Sequence, residues 1–224
     1  GGWIWQQVQD GQSVEIWTVF AGNPKGSLTP FAQELHQRWG TGPEAVLRRR
    51  EEDEHACRLL GAGFRHFDYP DCIYRRIPAT NEPVITTNDE LFQPVKDGEL
   101  PLVGQIAEML QSQNREEALM FCPLAIGGHM DHRLVRMAAE RSHLPLAYYA
   151  DFPYAAKTPL DLMTYLPPDA RQVHFSLSQQ AIDRWVQAVA AYASQLSSFW
   201  ASPGEMSRSV NLYASSQPGS SLWM

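Results

Sequence analysis

A short, continuously apolar run, Ala118 to Pro123, leads into Gly127-Gly128-His129-Met130-Asp131-His132 and then into a helical pattern that reaches about Arg141. An apolar run of this kind suits a parallel strand covered on both faces. The paired glycines allow a tight turn and a close approach of backbone to a ligand. The segment therefore demands a strand–turn–helix unit that delivers two histidines and a carboxylate at the carboxyl end of a strand. In open α/β sheets that end is where ligands bind.

The rest of the chain alternates in the same way. Trp3 to Val8 reads as an amphipathic helix, Ser13 to Phe20 as a strand, and residues 21–30 as a loop. Pro30 to Trp39 is a short helix. Gly42 opens a longer one that ends at Leu60 with Gly61 as its stop. Gly63 to Tyr69 is a second strand. Residues 72–98 are polar and proline-interrupted and read as a surface excursion. Leu102 to Leu110 is a helix, Leu144 to Tyr149 a strand, Val173 to Leu177 another, and Gln179 to Ala201 a long amphipathic helix. Ser202 to Met224, rich in Ser and Gly, is expected to wrap the surface or fray. Strands alternating with helices predict an α/β fold, a Rossmann-like three-layer sandwich whose sheet is mostly parallel and flanked by helices. The 224 residues are read as one domain.

A formal charge of -7 argues against general affinity for nucleic acid or anionic membranes. Cys57, Cys72 and Cys122 are odd in number and have no metal-like spacing, which predicts free thiols in a reducing, cytoplasmic compartment. No apolar run approaches the roughly 18 residues that span a bilayer, and no secretory signal is visible. The chain begins at Gly1-Gly2 and runs straight into a helix, where an α/β domain more usually opens with a strand, so a preceding N-terminal piece is expected.

His129, Asp131 and His132 carry the chemistry of a metal or proton-transfer site. A zinc hydrolase needs about three protein ligands and an open position for water, a carboxylate base, and a group that stabilises the oxyanion. If His129 still lies in the loop, His132, in the first helical turn, is the better metal ligand. Asp131 can cap the helix, or hold His129 by a hydrogen bond. A plain helix start with two half-exposed histidines fits the same spacing.

Gly128 to His132 resembles the His-x-Asp-His signature of the LmbE-like, PIG-L-like N-acetylglucosaminyl deacetylase family. Ordered matches accompany it: Val14 to Pro24, Arg49-x-x-Glu52 with Ala56 and Leu60-Gly61, Phe67 to Asp71, and Tyr148 to Tyr154. They cover roughly residues 1–155. The resemblance implies a zinc-dependent hydrolase, with zinc or another divalent metal, that removes an N-acyl group from a small amino sugar or its glycoside. It carries over His132 as a zinc ligand, His129 as the acid or oxyanion-stabilising histidine, and Asp131 as its partner. The family's other signature, a His-Pro-Asp-Asp-like stretch with two further ligands and the base, ends just before a Gly-Gly like Gly1-Gly2. It is expected upstream, and residues 1–224 alone are expected to have little activity.

Arg49 is a candidate substrate contact, or one of three arginines on a solvated helix face, or a helical partner of Glu52 or Asp53. Asp71 points into a cleft or forms a turn. Tyr154, with Tyr148, Tyr149 and Phe152, forms a sugar-stacking wall or packs a core. His36, His55, His66, His143 and His174 read as structural. Two alternatives stay open: a non-catalytic carbohydrate- or nucleotide-binding α/β domain with an incomplete metal site, and a zinc amidohydrolase acting on a thiol conjugate of an amino sugar. Homo-oligomerisation is compatible with all three.

Overall fold

The computed structural model of the chain describes residues 1–114, 118–157 and 162–224. They form an α/β fold whose regular elements run in the order α1 (Gly2–Gln9), β1 (Glu15–Thr18), α2 (Pro30–Trp39), α3 (Ala45–Leu60), β2 (Gly63–His66), α4 (Leu100–Gln113), β3 (Met120–Pro123), α5 (Met130–Arg141), β4 (Leu146–Tyr149), α6 (Tyr154–Lys157), β5 (Gln172–His174), α7 (Gln179–Ala190), α8 (Pro203–Ala214) and β6 (Ser221–Trp223). Two compact units result. One is Gly1–Asp71 with Ser176–Ser216, the other Cys72–Phe175 with Gln217–Met224.

In the first unit β1 and β2 pair in parallel, from Glu15 opposite Gly63 to Thr18 opposite His66. Local chemistry sets the helix bounds. Thr29 caps α2 by accepting the Ala32 N–H at 3.1 Å, Pro30 occupies the first turn, and Gly40 ends it in the left-handed region. Ala56, Leu60, Ala62 and Ala188 form a buried cluster against Ile4, Trp5, Val14 and Ile16.

A polar knot on α3 ties this unit together. Asp53 accepts from Thr18 Oγ1 at 2.9 Å and from the Tyr192 hydroxyl at 2.5 Å, and it meets His66 Nε2 at 2.8 Å. Glu52 accepts from the backbone and hydroxyl of Ser194 at 2.9 and 2.6 Å. These bonds explain why α7 stops at Ala190 and not at Ala201, as its apolar periodicity predicts. The chain turns so that Tyr192 and Ser194 can reach α3, and tertiary hydrogen bonds outweigh the weak preference for continuing a helix.

In the second unit the strand order is β3-β4-β6-β5. β3 and β4 are parallel, from Met120 opposite Leu146 to Pro123 opposite Tyr149. β6 is antiparallel to both β4 and β5. This sheet is mixed, so the expected parallel pairing holds for β1–β2 and β3–β4 only. Met130, Leu134, Ala138 and Ala139 of α5 are buried.

Two expectations change. Residues 72–98 are not simply a surface excursion: Cys72, Ile73, Val84 and Ile85 are fully buried. Nor does the chain fray after Ser202. Ser202 caps α8 through the Glu205 N–H at 3.2 Å, and Glu205 accepts in return from the Ala201 N–H at 2.8 Å. This is close to a capping box. Met206, Val210, Tyr213 and Ala214 line one buried stripe of α8. Trp223, 2 % exposed, draws β6 into its sheet.

The cysteines are free and buried. Burial pushes the Cys57 and Cys122 thiols up to about 12. Both stay protonated, and so unreactive, until pH rises through that value. A thiol titration at neutral pH should therefore detect neither one in the folded protein and both after denaturation. Rapid labelling without denaturant would contradict this burial.

Candidate functional site

The site lies in the second unit, where β3 gives way to α5. Leu124 and Ile126 are fully buried. Ala125, Gly127 and Gly128 have φ of 58°, 83° and 76°. This run of left-handed residues reverses the chain within a few positions, and only glycine enters that region freely. At Gly127 a side chain is excluded twice, because a Cβ there would also lie 2.6 Å from the Tyr154 ring. The turn is held by Gly128 N–H donating to the Ala125 carbonyl at 3.1 Å, and by Arg133 Nε donating to the Gly128 carbonyl at 2.8 Å.

His129 stands at the N-terminus of α5 and caps it. Its Nδ1 accepts the Asp131 N–H at 3.3 Å. With Nδ1 accepting, a neutral ring carries its proton on Nε2. His132, one turn on, is held differently. Its Nδ1 lies 2.6 Å from Oδ1 of Asp151, a carboxylate only 2 % exposed, while its own side chain is 37 % exposed. Nδ1 is thus the protonated nitrogen, and Nε2 keeps its lone pair. The two histidine ring centroids lie 5.3 Å apart.

Asp131 does not bond to His129 through its carboxylate, as one reading of the motif predicts. Oδ2 accepts from the Cys72 N–H at 3.1 Å, and Oδ1 pairs with Arg75 Nη2 at 2.7 Å. Arg75 also donates to both oxygens of Glu99, at 2.5 and 3.3 Å. All three side chains are buried. Burial opposes the charge on Arg75, but the carboxylates of Asp131 and Glu99 outweigh it and hold the guanidinium above its ordinary range. The network anchors the start of α5, and Asp131 reaches His129 through its backbone.

An aromatic cluster surrounds the histidines. Tyr154, at the start of α6, meets His132 edge-on at 5.8 Å between centroids. Phe92, from a 3-10 turn at Asp89–Phe92, meets His129 at 5.9 Å and Tyr154 at 6.3 Å, both edge-on. Phe92 remains 41 % exposed. Tyr148, in contrast, is buried beneath Arg136, whose guanidinium carbon is 5.5 Å from the ring centroid.

Arg49 and Asp71, the other two residues singled out by sequence, belong to the first unit. They meet each other, Nη1 to Oδ2 at 3.0 Å, and Arg49 lies over the Trp39 ring at 5.3 Å. The structure brings His129, Asp131, His132 and Tyr154 together around the start of α5, and pairs Arg49 with Asp71. Asp151 and Phe92 escaped sequence reasoning. For Asp151 a signal was present: an acidic residue within the apolar stretch Tyr148 to Pro153, at the end of a buried strand, needs a partner. Phe92 had none, as one aromatic residue in a polar stretch.

Comparison with known proteins places this arrangement. No protein-family model matches the chain. It is 30 % identical over 168 residues to 2'-N-acetylparomamine deacetylase of Niallia circulans, covering 67 % of this chain and 60 % of that protein. It is 32 % identical over 117 residues to 2'-N-acetylparomamine deacetylase of Streptomyces fradiae, covering 49 % and 38 %. The matches thus span less than two thirds of either curated relative. Among solved structures, the zinc-inhibited form of teicoplanin deacetylase Orf2 superposes with a TM-score of 0.84 at 28 % identity, over all of this chain and 91 % of that one. The A40926 pseudoaglycone deacetylase Dbv21 gives 0.72 at 31 % identity, over all of this chain and 89 % of that one. The chain belongs to the LmbE-like, PIG-L-like deacetylase family.

The turn itself is testable. Gly127→Ala combines left-handed strain with a clash against Tyr154 and should cost roughly 2–4 kcal/mol in denaturant unfolding. Gly128→Ala carries the same left-handed strain but meets the guanidinium of Arg133, a side-chain end, instead of a ring, and should cost less. Equal costs would mean that the Tyr154 ring does not press on Gly127.

Proposed function

We propose that the protein is a zinc-dependent N-deacetylase that removes an acyl group from an amino sugar carried on an aminoglycoside- or glycopeptide-like scaffold. The observation that carries this reading is the pair of histidines held through Nδ1 by different partners, His132 by the Asp151 carboxylate and His129 by the Asp131 N–H. Relatives named for 2'-N-acetylparomamine, and a neighbour solved as a deacetylase–teicoplanin complex, support the substrate class.

His132 would supply one of the roughly three protein ligands that zinc needs, since its Nδ1 is already bonded to Asp151 and its side chain is partly exposed. Zinc bound there would supply Lewis acidity to the amide carbonyl and acidify attacking water. His129 acts from its Nε2–H. It stabilises the negative charge that develops on the carbonyl oxygen, while the protons of the attacking water end on the departing amine. Water adds to the carbonyl carbon, the C–N bond breaks, and the acyl group leaves as a carboxylate beside a free amino sugar. Asp131 acts indirectly, keeping the start of α5 against Arg75. Tyr154 and Phe92 offer ring faces to the apolar C–H surface of the sugar. Arg49 and Asp71 contribute polar contacts to substrate.

Parallel pairing within each unit supports a Rossmann-like three-layer reading of the α/β fold, and neighbours that cover the whole chain support a single deacetylase domain. Three free, buried cysteines support a reducing, cytoplasmic setting. No helix among the described residues is long and apolar enough to cross a membrane.

The test is release of acylate from N-acetylated amino sugars and aminoglycosides by the zinc-loaded natural protein. His129→Ala should lower kcat about 10²–10³-fold, and a chelator should abolish turnover reversibly. Sugar binding with no acyl release from any substrate would favour a binding domain in place of an enzyme.

A further inference from the structure

We propose that Asp151 is a positioning residue for His132: its carboxylate fixes which ring nitrogen of His132 is free, and zinc affinity at that nitrogen depends on it. The proposal rests on the zinc reading of His132 given above.

Asp151 follows β4 and is 2 % exposed. Its two oxygens serve different masters. Oδ1 lies 2.6 Å from His132 Nδ1, and Oδ2 accepts the Ile126 N–H at 3.1 Å. Ile126 is fully buried in the turn just before the glycine pair. One carboxylate thus joins the turn that builds the site to the ring that works in it. Among the described residues its ionisable partner is His132. A buried carboxylate is costly unless paired, so this one is poorly explained as a bystander. A carboxylate hydrogen-bonded to the far nitrogen of a ligating histidine fixes its tautomer and raises its basicity.

The chemistry requires a carboxylate and not merely a polar group. The Ile126 N–H can only donate, and a ligating His132 must donate from Nδ1. Two donors need two acceptors, which Asp151 has and asparagine lacks. In Asp151→Asn the amide NH₂ must face one of them. Facing the ring, it forces Nδ1 to accept, moves the proton to Nε2 and blocks the lone pair. Facing Ile126, it leaves a buried N–H unpaired and loosens the turn.

Zinc affinity of the natural protein, measured by chelator competition, should fall about 10–100-fold in Asp151→Asn, towards the level of His132→Ala. Ring-nitrogen NMR shifts of metal-free wild type at mildly alkaline pH should show the Nδ1–H tautomer for His132. An Nε2–H tautomer in the wild type overturns the proposal, and so does undiminished zinc affinity in Asp151→Asn. The tautomer is read on the unmodified protein, so the proposal stays testable even if the variant fails to fold. Absence of zinc binding in the wild type would instead sink the zinc reading itself.

Discussion

Everything at the candidate site hangs from a carboxylate shut away from solvent. Asp151 holds the turn before the glycines with one oxygen and the His132 ring with the other. A second buried carboxylate, Asp131, fixes the same helix start from another side through Arg75 and the Cys72 N–H. Buried ion pairs contribute little net stability compared with apolar packing, and their value lies more in geometry. Here two carboxylates leave the first turn of α5 few alternatives, and both histidines ride on that turn.

The two histidines show how position sets chemistry. They are three residues apart and carry the same side chain, yet one caps a helix with Nδ1 and the other donates from it. The first becomes a donor at Nε2 and the second an acceptor there. The backbone N–H of Asp131 and the carboxylate of Asp151 suffice.

Local chemistry was readable from sequence where it was decided locally. The bounds of α2 follow from Thr29, Pro30 and Gly40, and α5 follows from its apolar stripe and the glycines before it. The pairing of Asp151 with His132 could not be read, because the two are 19 residues apart and meet only once β4 lies beside β3. The same holds for Asp131 and Cys72, separated by 59 residues. The helix α8 was hidden for another reason: Ser and Gly suggested disorder, while the capping pair Ser202 and Glu205 pointed to a helix start. The early end of α7 depended on Tyr192 and Ser194 finding Glu52 and Asp53 across 139 and 142 residues.

The bond from Arg75 to Glu99 closes the ends of a long stretch of chain, 24 residues apart. Between these clamps lies Phe92, the exposed ring beside His129. Closing a loop becomes only slowly more expensive as it lengthens, by about 0.6 kcal/mol for each doubling. The stretch between the clamps is pinned a second time by the fully buried Val84 and Ile85, which leaves the exposed segment around Phe92 as the part whose length could change at little cost while Arg75 and Glu99 keep the start of α5 in register.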